Sequence, residues 1–324
     1  MKIKLTILFC GFLLISACSE DFVLTEPWKD IPVVYGLINR VDSAQYIRVE
    51  KLFVDEDIPA VEMAKVADSI YYQNVKVSLI NLNSKKEVEL LKVDGTFEGY
   101  VRNPGPFVQV PNFLYKLKTT QLPMSGGDSI LLKIDRGDGK ALITSRIQLV
   151  RDFDFTSPPS TNREVQFKPE FPQTFSWQKP KSSQIFDFDI IVVVQETNTV
   201  SGSVLIKPLR WVLKKGDLAN SVTVGGLQFY NFLKENLVVD PALKREVLRL
   251  DFMVRAGGPE VYDFNTIVNA NTGITASQEI PRYSNMSEGF GLFSSIHRTE
   301  RSFGISLETK SLLKTVDQTR LLGF

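Results

Sequence analysis

From residue 31 to about residue 150, apolar and polar positions alternate in short blocks. The clearest are Tyr46-Ile47-Arg48-Val49-Glu50, Val75-Lys76-Val77-Ser78-Leu79-Ile80 and Glu87-Val88-Glu89-Leu90. A period of two is what a strand with one buried face requires. The pattern predicts strands over 32–38, 45–53, 75–80, 87–90, 115–119, 129–134 and 141–150. Turn chemistry separates them at Asp94-Gly95, Asn103-Pro104-Gly105, Ser125-Gly126-Gly127-Asp128 and Gly137-Asp138-Gly139. Short strands at such spacing predict an Ig-like β-sandwich over 31–150, with one or two helical turns near 58–67 on its edge.

Residues 151–165 are polar, contain Pro158-Pro159 and have no period, so they read as a boundary. A second, β-rich domain is expected over 165–324. Its strands are predicted at 174–177, 186–196, 205–214, 222–224, 245–256 and 303–307. Short helices are predicted at 227–235, 259–268 and 312–321, the first with Phe229, Phe232 and Leu233 on one face. No internal repeat with matching residues is visible. The expected fold class is mainly β: an Ig-like β-sandwich followed by a second β-rich domain with a few short helices.

The N-terminus follows a different pattern. Lys2 and Lys4 precede an apolar run from Leu5 to Ile15, too short to span a bilayer, and small residues follow it. Ile15-Ser16-Ala17-Cys18 resembles a bacterial lipobox, in which the cysteine is acylated and becomes the new N-terminus. The expectation is a signal peptide at 1–17, a lipidated tether at 18–30 and an acyl anchor on Cys18. Each buried methylene contributes about 0.8 kcal/mol, so two or three chains hold a folded body to a membrane. The other cysteine, Cys10, lies within the leader. Ser19-Glu20-Asp21 resembles the signal that sends Bacteroidota lipoproteins to the outer face of the outer membrane. The expected location is therefore the outer membrane at the cell surface, with its periplasmic face as the alternative.

Composition narrows the chemistry. The chain has 324 residues, 38 Lys and Arg against 37 Asp and Glu, two cysteines and one histidine. Near-zero net charge provides no field for nucleic acid, and a single histidine rules out multi-histidine metal centres. No metal and no cofactor are expected. His297, the only imidazole, has no Gly-x-Ser-x-Gly elbow to serve and reads as a surface residue. Carboxylate pairs would be needed for glycoside hydrolysis. The candidates are Asp55-Glu56-Asp57, Asp152 with Asp154, and Asp187 with Asp189, all read as solvated faces. Arg136-Gly137-Asp138 reads as a hairpin turn. Trp28, Trp177 and Trp211 lie on different elements, and Phe107 and Phe113 are candidates for an exposed edge.

Asp42-Ser43-Ala44, Asp68-Ser69-Ile70 and Asp128-Ser129-Ile130 resemble the O-glycosylation acceptor pattern of exported Bacteroidota proteins, which marks Ser43, Ser69 and Ser129. Three longer segments carry a wider resemblance. These are Pro32-Val33-Val34-Tyr35-Gly36-Leu37-Ile38, Gln45-Tyr46-Ile47-Arg48-Val49-Glu50-Lys51, and the stretch 283–295 that contains Gly289-Phe290-Gly291-Leu292-Phe293. With the lipobox they resemble a family of uncharacterised Bacteroidota outer-membrane lipoproteins, a domain of unknown function. The resemblance implies a TonB-dependent outer-membrane receptor as a partner and supplies no catalytic residues.

Bottom-up, the glycines around Phe290 allow two accounts: a bulged strand that closes the core, or a loop that offers Phe290 and Phe293 to a partner. The functional expectation is a non-enzymatic envelope lipoprotein that binds or assists an outer-membrane transporter. The alternatives are a structural or assembly factor of the outer membrane and, last, a carboxylate-based carbohydrate-active enzyme.

Overall fold

The computed structural model describes residues 30–52, 58–270 and 282–324. The predicted leader and tether, Cys18, Trp28 and the acidic run Asp55, Glu56 and Asp57 lie outside the described residues. The protein is mainly β, with several antiparallel sheets and a few short helices.

In the first unit, β1 (Ile31–Ile38), β2 (Ala44–Leu52), β5 (Leu91–Asp94) and β6 (Phe113–Lys118) form one sheet, in the order β1-β2-β6-β5. Facing it, β3 (Lys76–Asn81), β4 (Lys86–Glu89), β7 (Ser129–Asp135) and β8 (Ile143–Gln148) form a second, in the order β4-β3-β7-β8. Two single-turn helices, α1 (Ala60–Met63) and α2 (Ala67–Ile70), follow β2. Val34, Ile38, Ile47 and Val49 from one sheet meet Val77, Leu79, Ile130, Leu132 and Ile134 from the other in a single core. That is the alternation expected from the sequence, and the strand order is that of an Ig-like sandwich. In the β7–β8 hairpin, Arg136 is buried and binds both oxygens of Glu288 at 2.9 Å.

The second unit repeats this order. Its small sheet contains β9 (Phe155–Ser157), β11 (Gln173–Trp177) and β14 (Ser221–Val224), arranged β14-β11-β9. Opposite lie β12 (Ile185–Asn198), β13 (Val204–Asp217), β15 (Leu243–Gly257) and β16 (Phe290–Ile305), arranged β13-β12-β15-β16. Thus β9, β11 and β14 take the places of β1, β2 and β6, and β13-β12-β15-β16 take those of β4-β3-β7-β8. No residue pattern announces this repeat, because a sandwich conserves strand order and facing, not side chains. Its core is aromatic: Phe175, Trp177, Phe188, Phe252 and Phe303 pack together. Three helices complete the unit: α3 (Gln228–Asn236), α4 (Pro259–Ala270) and α5 (Leu307–Thr315).

Two sequence expectations are corrected here. The stretch 151–165, read as an aperiodic boundary, belongs to the second unit. Phe153 and Phe155 are buried in the second core, and β9 and the short β10 (Glu164–Val165) form within it. Its apolar residues are too sparse to show a period, yet each is buried. The expected strand at 303–307 followed by a helix at 312–321 is instead the end of β16 followed by α5. Ser306 caps that helix, its hydroxyl accepting the Thr309 N–H at 3.2 Å.

The strand β16 is shared. Its later half pairs antiparallel with β15, from Ile296 opposite Gly257 to Phe303 opposite Leu250. Its first half runs parallel to β1, with Phe290 opposite Val33 and Phe293 opposite Gly36. The sheet of the first unit thereby continues into the large sheet of the second.

Candidate functional site

The outer face of the β2-β1-β16 ladder is built by alternation. With Val34, Gly36 and Ile38 turned inward, Val33, Tyr35 and Leu37 must point out. The register places Glu50, Val33 and Phe290 in one row, Arg48, Tyr35 and Leu292 in the next, and sets Leu37 opposite Ser294 beyond them. Tyr35 and Leu37 are each 44% exposed.

Two grooves meet at Tyr35. The larger, about 480 Å³, is walled by Tyr35, Phe107, Phe264, Tyr283 and Phe290, with Arg282 at its margin. The second, about 330 Å³, is walled by Tyr35, Leu37, Tyr46, Tyr100 and Leu292. Both fall in the size range of small-ligand sites: mostly apolar walls with a few placed polar groups.

The polar groups are fixed in position. Arg48 donates to Glu50 at 2.9 Å and to Asn112 at 2.8 Å, and Arg102 pairs with the same Glu50 oxygen. Arg102 also sits 5.7 Å over the Phe107 ring, and Arg282 sits 5.0 Å over Phe290. The Tyr46 hydroxyl donates to Glu98 at 2.8 Å, and its ring tilts against Tyr100 at 4.8 Å. Burial and the Glu98 bond push the Tyr46 phenol up, while Lys116 and Tyr46 hold the Glu98 carboxyl down. Burial pushes Tyr283 up to about 12. Apolar walls with polar groups fixed at their edges are an arrangement that can hold a ligand.

The structure separates the two phenylalanines marked in the sequence. Phe290 is half-buried and forms part of the larger groove. Phe293 is fully buried in the first core, so it belongs to the bulged-strand account and cannot meet a partner. Gly289 and Gly291 make this possible. Gly291 has φ +136°, and a Cβ there would lie 1.8 Å from the Val34 carbonyl oxygen; Gly289 has φ +83° and a Cβ would lie 2.2 Å from that of Pro32. Only glycine lets β16 come in beside β1.

Ser43 is exposed in the β1–β2 turn, and Ser69 and Ser129 are half-buried. The aspartates before them have structural partners: Asp42 accepts from Asn39 at 2.9 Å, Asp68 from Gln73 at 2.7 Å, and Asp128 from Asn81 at 2.9 Å.

Two readings of titratable residues are overturned. His297 is buried, at 5% exposure, edge-on to Phe153 and 3.4 Å from Asp152. Burial, then the nearby Arg40, push its pKa down, and Asp152 opposes them. Its charged neighbours suggested a surface site, but the long strand β16 carries it into the junction between the units. Asp187 and Asp189 do share a face, but Asp189 is not solvated on it. Asp189 is 1% exposed and binds Arg210 at 2.6 Å and Arg255 at 2.5 Å, while Asp187 lies 3.7 Å from Arg255. Cross-strand arginines cover it. Asp152 and Asp154 are likewise engaged, with Arg40 and with Arg301.

Trp177 is a core residue, and Trp211 stacks on Phe232 at 5.2 Å. Phe107 is 44% exposed, as the edge reading required, whereas Phe113 is half-buried against Tyr71. Among the described residues no three His, Cys, Asp or Glu side chains converge as a metal site. No helix among them is long and apolar enough to cross a membrane. Tyr35 and the aromatic grooves were missed in the sequence. Their aromatics come from separate elements, and the only signal was an exposed-phase tyrosine in a strand.

No family model and no curated protein matches the chain. Among solved structures, a crystal structure of the chicken CNTN1 FN1-FN3 domains is similar at 13% identity and a TM-score of 0.26. That match covers 70% of this chain and 62% of the other, so the chain spans under two thirds of its length. The sandwich assignment rests on the strand order above.

Proposed function

We propose that this chain is a non-enzymatic binding component of a bacterial cell envelope. It is held to the outer membrane by acyl chains on Cys18 and docks on a TonB-dependent type of transporter. The observation that carries the binding reading is the outer face of β2-β1-β16. There Tyr35 stands exposed between two aromatic grooves whose polar groups are already tied to one another. An aromatic surface with pre-placed charged groups at its margin loses little conformational freedom on binding, which favours a docking role. The anchor rests on the lipobox-like Ile15-Ser16-Ala17-Cys18 and the acidic residues after it. Ser43, in an exposed turn, is the best placed of the three serines to carry a sugar.

The test is extraction of the full chain in mild detergent, followed by identification of co-purifying proteins. A transporter recovered with the native chain, and reduced about tenfold by Tyr35→Ala, supports docking through this face. Recovery of free monomer alone overturns docking. Cys18→Ala is expected to move the protein out of the membrane fraction, and an unmodified Cys18 in the native chain would remove the anchor from the reading.

A further inference from the structure

We propose that the groove between β13 and β14 is a binding site for a neutral saccharide of one or two hexose rings. The groove belongs to the second unit and shares no residue with the two grooves at Tyr35. Its volume is about 460 Å³, within the range of small-ligand sites. There β13 ends the large sheet and β14 ends the small one; residues 211–213 and 222–224 form the two walls, with α3 alongside. Three residues of strand make each wall about 10 Å long, which is short for pairing an incoming peptide strand of about five or six residues.

The helix α3 supplies the polar side chains. Gln228, Asn231 and Glu235 recur at i, i+3 and i+7, so they form one stripe along the groove, while Phe229 and Leu233 on the opposite side are fully buried. Among the described residues the Asn231 amide and the Glu235 carboxylate have no hydrogen-bond or ion-pair partner. Gln228 uses only its oxygen, which accepts the Gly225 N–H at 2.8 Å, and its amide N–H groups are unspent. The apolar element is Trp211, half-buried and stacked on Phe232 with ring centroids 5.2 Å apart and planes 19° apart. On the other wall the Trp177 N–H donates to the Asn220 carbonyl at 3.0 Å, and bonded and non-bonded pairs alternate from there. Thr223, opposite Thr174, therefore turns its backbone N–H and C=O away from β11, to the open edge.

Charge and ring geometry select the occupant. Glu235 is the only charged side chain in the lining, so an anion meets a carboxylate and no counter-charge. A cation would gain Glu235, but rings hold an ammonium by enclosing it with several faces. Here Trp211 has one face against Phe232, so the pair forms a single stack and no enclosure. A hexose ring uses what is present. Its C–H face packs on an indole, and its hydroxyls, each a donor and an acceptor, match amides that give and accept and a carboxylate that accepts.

The probes are maltose, cellobiose, lactose and β-1,4-mannobiose, with glucuronic acid and tetramethylammonium as anionic and cationic controls. Each is titrated to about 20 mM against the full chain, a range that reads millimolar affinity. At least one disaccharide is expected to bind, shifting the Trp211 indole N–H and the backbone amides of Thr223, Asn231 and Glu235 in NMR spectra. Asn231→Ala and Glu235→Ala should each weaken that binding at least about fivefold, with the urea midpoint unchanged because neither side chain has a partner in the fold. No shift with any of the four disaccharides overturns the proposal, as does binding that neither substitution weakens. A stronger response to tetramethylammonium or to glucuronic acid than to every disaccharide overturns it too, since the groove would then be an ion site. So do disaccharide shifts centred on Tyr35, which would place the sugar in the grooves of the first unit.

Discussion

Asn285 holds both backbone groups of Phe293: its side-chain nitrogen donates to the Phe293 carbonyl at 2.6 Å, and its side-chain oxygen accepts the Phe293 N–H at 2.9 Å. A side-chain amide here does what a neighbouring strand would do. It supports β16 where that strand passes from the segment after residue 282 into the first core. Asn285→Asp keeps the size but removes the donor and sets a carboxylate against the Phe293 carbonyl. The expected loss is about 1–3 kcal/mol, read from the urea midpoint.

The parallel pairing of β1 and β16 depends on Gly291. Gly291→Ala meets two penalties, the Val34 carbonyl at 1.8 Å and a φ of +136°. Backbone is the obstacle, so no rotamer change relieves it. Stability is expected to fall by about 2–4 kcal/mol, with loss of amide-exchange protection from Val34 to Ile38 and little change in β15.

Phe293 and Tyr35 are neighbours in space with opposite roles. Phe293→Ala empties a fully buried site in the first core and is expected to cost about 3–5 kcal/mol. Tyr35→Ala, on the exposed face, should change stability by no more than about 0.5 kcal/mol while weakening any ligand of the grooves. Thermal denaturation of the two variants, set beside the co-purification assay, checks the split between core and surface.

The junction between the units is expected to respond to pH through His297. Its folded pKa lies below the ordinary 6.5, chiefly from burial and then from Arg40. The unfolded chain therefore binds the proton more readily. Stability is full above pH 6.5 and falls as pH drops from there toward the lowered folded value. Asp152 responds in a separate, more acidic window: Arg40 holds its carboxyl below 3.8, so its contribution is lost only as pH falls from there. His297→Gln should flatten the part of the stability profile just below pH 6.5 and leave the acid limb. A profile with the same slope in both proteins would remove His297 as the cause.

The period-two blocks make most of the strands legible in the sequence. The sequence placed strands at 32–38 and 45–53, and they form as β1 (Ile31–Ile38) and β2 (Ala44–Leu52). Helices α3 and α4 start within a residue of their predicted positions, because an apolar face and an early proline are local signals. The edge strand β5 was not visible. Two of its four residues are exposed and it packs little, so no period marks it.

What the amino-acid order determined by itself was which residues point inward: the core alternation, the turn positions and the class of fold follow from local spacing and side-chain chemistry. Only the tertiary structure decided who neighbours whom. That β16 serves two sheets, that Phe293 is core while Phe290 lines a groove, and that Asp189 and His297 are buried all depend on contacts between residues far apart in the chain. A period fixes the face a side chain takes; what covers that face is settled when distant strands meet.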